Sequence, residues 1–87
     1  TMKIQGAVIK EQGVKFAIVV VKKHIVDCKN EADKAVQSFS RFFPGMNIML
    51  AAQDYNGRFT YYGRQDISKF LASIKPSQIP WKEYTFS

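Results

Sequence analysis

The feature that most constrains this chain is the run Phe16-Ala17-Ile18-Val19-Val20-Val21, six apolar residues in succession, most of them β-branched. A strand points successive side chains to opposite faces of its sheet. The run therefore makes both faces apolar, which places its strand at the centre of a sheet rather than at an edge. It falls far short of the roughly 20 residues that cross a bilayer as a helix. A chain of 87 residues forms one domain with one modest core. Whatever covers Phe16, Ile18 and Val20, a second layer is needed over Ala17, Val19 and Val21.

The rest of the chain supplies the layers. Residues 2–26 read as a hairpin turning at Glu11-Gln12-Gly13. Ala32, Ala35, Val36, Phe39, Phe42 and Phe43 then recur at helical spacing, predicting a helix over 30–43. Asp27 or Asn30 is placed to cap it, and Pro44-Gly45 to end it. Residues 47–62 form a second hairpin around Asp54-Tyr55-Asn56-Gly57, a type I′ turn signal. Ile67, Phe70, Leu71 and Ile74 predict a second helix over 65–75. The tail, 76–87, carries Trp81, Tyr84 and Phe86, and three aromatics in so short a segment predict docking, with 82–86 as a short edge strand.

The expected fold is α+β, in ββαββα order. It has a four- or five-stranded mixed sheet, with two helices packed mainly on one face. The helical crossover from the second strand to the third favours parallel pairing there. Two helices on one face would leave the other apolar row open, and an open apolar face is an interaction surface. The tail covers it, the helices split between the faces, or a partner covers it. The partner alternative assigns Ala17, Val19, Val21, Trp81 and Tyr84 to a contact with another protein or with a second copy, a homodimer through the sheet face or an edge strand.

The formal net charge is +6, and Lys3, Lys10, Lys15, Lys22 and Lys23 concentrate it near the start of the chain. Arg58-Phe59-Thr60-Tyr61-Tyr62-Gly63-Arg64 interleaves rings with cations. That pattern suits stacked bases and phosphates. The alternative function is therefore nucleic-acid binding through Lys22, Lys23, Arg58, Tyr62 and Arg64. Gly63-Arg64 ahead of the second helix reads as a strand-to-helix turn in preference to an anion site.

Little points to catalysis. His24 and Cys28 are the single residues of their types. A thiol near a helix start gains nucleophilicity from the helix dipole. No orienting third group accompanies the pair, and no phosphate loop or zinc spacing is present. The expectation is a non-enzymatic, cytoplasmic interaction module, with no cofactor, no metal and no membrane partner. Ile48 to Ile74 resembles the closing ββα piece of thioredoxin-like folds. The chain has no CxxC, and no site residue is carried over from that resemblance.

Overall fold

The computed structural model describes residues 2–11 and 13–86. Gln12 of the first turn and Ser87 of the tail lie outside them. Strands β1 (Met2–Glu11) and β2 (Val14–Val20) form the first hairpin. Helices α1 (Lys23–Asp27) and α2 (Lys29–Ser40) lead to β3 (Asn47–Gln53) and β4 (Phe59–Tyr62). Helix α3 (Gln65–Ser73), a 3-10 turn (Pro76–Gln78) and β5 (Lys82–Phe86) complete the chain.

The five strands lie in the order β4-β3-β2-β1-β5. As the unbroken apolar run predicts, β2 is central. It pairs antiparallel with β1 and parallel with β3, in a register that sets Ala17 opposite Ile48 and Val19 opposite Leu50. The outer pairs, β3–β4 and β1–β5, are antiparallel. The fold class is thus α+β with a mixed sheet, and the tail supplies the expected edge strand.

The helices do not share one face; they divide between the two. On one face α3 sets Ile67 and Leu71 over Ala7, Phe16, Ile18 and Met49, with Ile79 of the tail beside them. On the other, Ala32 of α2 and Phe43 cover Ile4, Ala17, Val19 and Leu50. The cause is the composition of β2. Both of its side-chain rows are apolar, and exposing either costs about 25 cal/mol per Å². One helical layer on each side removes both rows from water.

Some boundaries move for the same reason. The first hairpin ends at Val20 instead of extending to residue 26, and the chain turns into α1. That turn folds Ile25 and Val26 back onto the α2 face. Neither expected cap is used: α2 starts after Cys28 with no side-chain cap, and Asn30 lies inside the helix. Helix α2 also stops at Ser40, short of residue 43, which frees Phe43 to insert against the sheet. Its ring meets Tyr84 edge-on at 5.4 Å.

Gly6 sits in β1 where a side chain has no room. A Cβ there would lie 2.1 Å from the Ile18 carbonyl oxygen. The close approach is to β2, where Gly6 pairs with Val19; on its other side Gly6 pairs with Lys82 of β5.

Candidate functional site

The structure separates the residues expected to form an apolar contact surface. Ala17 and Val19 are fully buried beneath the α2 layer, so they belong to the core and not to a surface. Val21 and Tyr84 are half-buried on that same face. Trp81 packs on the opposite face, stacked on Phe59 at 5.4 Å. Two alternatives considered for covering the second row, a split of the helices and a docked tail, are both realised, and the sheet-face contact is occupied from within the chain.

The five cationic and aromatic residues also fail to converge. Lys22 and Lys23 follow β2, and Arg58 precedes β4, at one end of the sheet; Tyr62 and Arg64 stand at the other end of β4. The Tyr62 hydroxyl donates to Asp33 Oδ1 of α2 at 2.6 Å. That bond, with burial and the Asp33 charge, raises the phenol above its ordinary range. The Arg64 guanidinium donates through Nε and Nη2 to both oxygens of Asp66, at 3.1 and 2.7 Å. This pairing holds the Asp66 carboxyl below the usual carboxylate range, helped by the Ile67 N–H. Asp66 thereby takes the first turn of α3, and Gly63-Arg64 is the strand-to-helix turn expected. Lys23 pairs with Asp27.

The geometry draws attention instead to β4 and its surroundings. Strand β4 has one neighbour, β3, and its other side is a sheet edge. Its four residues, Phe59-Thr60-Tyr61-Tyr62, contain no charge and no proline. Phe59 and Tyr61 are half-buried on the α3 face and stack at 6.1 Å, while Thr60 is exposed. Between this strand and the second half of α3 runs an apolar groove. Arg58, Phe59 and Tyr61 form one wall, and Leu71, Ala72 and Ile74 the other. The Tyr61 hydroxyl is buried with no hydrogen-bond partner among the described residues. Burial raises its pKa, so the phenol stays protonated and a donor.

Arg58 enters β4 from a tightly held turn. The Asp54 carboxylate accepts from the backbone N–H of Asn56 and of Arg58, at 2.9 and 3.0 Å. The Asp54 N–H donates to the Arg58 carbonyl at 2.9 Å. The loop between those two residues is therefore one residue longer than the two-residue type I′ turn expected, with Gly57 at φ +82° absorbing the left-handed step. Arg58 itself is exposed and makes no ion pair among the described residues. The tip of the loop, Tyr55, is fully exposed.

Sequence reasoning singled out Arg58, but for nucleic acid. It missed the edge: the available signal was an uncharged aromatic strand beside a helix that carries the small Ala72 between Leu71 and Ile74. Cys28 is exposed, and no hydrogen bond joins it to His24 among the described residues. No helix among the described residues is long and apolar enough to cross a membrane. No protein-family model, no curated protein and no solved structure matches this chain.

Proposed function

We propose that this chain is a small non-enzymatic interaction module that accepts an extended strand of another polypeptide along the open edge of β4. The observation that carries the reading is the edge itself. Both faces of the sheet are covered from within the chain, whereas β4 offers unpaired backbone N–H and C=O groups flanked by half-buried rings. Edge strands in soluble proteins are ordinarily protected by charge, proline or a bulge. This one carries neither charge nor proline. An added strand gains main-chain hydrogen bonds there, and the adjacent groove takes alternate side chains, as strand-addition modules do.

The test is a titration of the full chain with Val/Thr-rich heptapeptides, read by amide chemical shifts. Binding should perturb residues 59–62, and Thr60→Lys, which puts a charge on the edge, should weaken it about tenfold or more, on the order of 1.4 kcal/mol. Thr85→Lys, on the opposite edge, should leave it unchanged. Absence of binding at millimolar peptide, or perturbation confined to residues 82–86, contradicts the reading. Dimerisation of the chain alone, removed by Thr60→Lys, would identify a second copy as the strand.

A further inference from the structure

Resting on that reading of β4, we infer that the groove selects a strand that ends in a free carboxylate preceded by an apolar side chain. The partner is the C-terminus of a polypeptide, bound antiparallel to β4. Three observations converge on this chemistry.

The first is the charge at one end of the groove. Arg58 stands where β4 begins and holds no ion pair among the described residues, whereas Arg64 at the other end is paired with Asp66. A strand laid parallel to β4 would bring its amino end to Arg58, cation against cation. An antiparallel strand brings its carboxyl end there, and a guanidinium meets a carboxylate in paired hydrogen bonds.

The second is the way that end is held. The turn that joins β3 to β4 is fixed by the two bonds to Asp54 Oδ1, and Gly57 of that turn lines the groove with Arg58. The groove's cation therefore stands on a held turn.

The third is the lining. Phe59, Leu71, Ala72 and Ile74 make an apolar slot beside the cation, suited to an aliphatic or aromatic side chain. Fewer methyl groups at Ala72 than at its neighbours leave the slot open from the α3 side.

The experiment compares the same heptapeptides, ending in Val or Leu, as free acids and as C-terminal amides. The acids should bind the full chain about tenfold more tightly than the amides, the range a charge-assisted hydrogen bond supplies. Arg58→Gln should abolish that preference, so that acids and amides bind with equal affinity. Arg58 is exposed, so the variant keeps its fold, which the unchanged shifts of the β2 and α2 amides will report. Equal binding of acids and amides at residues 59–62 would overturn the carboxylate inference while the edge reading stands. Failure of both forms to bind at millimolar concentration would overturn the two together. A preference for acids that survives Arg58→Gln would place the carboxylate elsewhere and overturn the assignment of this groove.

Discussion

Strand β5 opens with Lys82 and Glu83, both exposed, and every residue from Lys82 to Phe86 pairs with β1. At the opposite margin β4 is Phe-Thr-Tyr-Tyr, with no charge inside it and a groove beside it. The two margins share a sheet, an antiparallel neighbour and a similar length, yet only one carries the charge that discourages a further strand. The tail of which β5 is part completes the core, through Ile79 on one face and Tyr84 on the other. β4 contributes rings to the core and still leaves a surface beside it. The difference separates an edge that finishes a fold from an edge that offers one.

The largest expected effect lies at Gly6, where β1 passes close to β2. Gly6→Ala drives a methyl group to within 2.1 Å of the Ile18 carbonyl oxygen unless the backbone shifts. Overpacking of this kind costs about 1–3 kcal/mol or more. Chemical denaturation should show that loss, and peptide binding at β4 should persist in the molecules that remain folded. Intact stability would mean that β1 and β2 have room to separate at Gly6. Next comes the turn that presents Arg58. Asp54→Ala removes two accepted backbone hydrogen bonds. The expected cost is about 1 kcal/mol, with faster amide exchange at Asn56 and Arg58 and weaker binding of free-acid peptides. Unchanged exchange there would show that the loop is held by its backbone alone.

The smallest effect is a pH dependence. The Tyr61 phenol is raised above its ordinary value of 10.0 by burial. Between that value and its raised one, the unfolded chain has released the proton and the folded chain retains it. The unfolded state then binds fewer protons, so stability falls as pH rises. Below pH 10 this contribution is fully present. Tyr61→Phe should therefore flatten the loss of stability above pH 10, measured by denaturation at successive alkaline pH values. An unaltered slope would show that the hydroxyl reaches solvent.

Much of the architecture was legible because it follows from periodicity. The apolar run of β2 announced a central strand, and the spacing of Ile67, Phe70, Leu71 and Ile74 announced α3. Trp81, Tyr84 and Phe86 announced a docked tail. What periodicity did not give was allocation to faces. Ala17 and Val19 look like an exposed row only while both helices are placed together, and no local pattern decides between one face and two. Trp81 and Tyr84 were assigned to one surface, although they stand an odd number of positions apart and pack on opposite faces. The β4 groove was hidden for a different reason. It is assembled from Arg58 on a turn, Phe59 and Tyr61 on a strand, and Ala72 and Ile74 at the end of a helix, and that adjacency exists only after folding. Tyr62 showed the converse: its chemistry was visible, but Asp33, which accepts its hydroxyl, meets it only in the folded chain. Arg64 is paired locally, with Asp66 two residues on.

The most direct measurement is amide hydrogen exchange of the full chain, with and without the free-acid heptapeptides at saturating concentration. The account predicts slowed exchange at the outward N–H groups of residues 59–62 and no change at residues 82–86. Protection appearing at 82–86 instead, or at neither edge, would contradict the assignment of β4 as the strand-accepting margin.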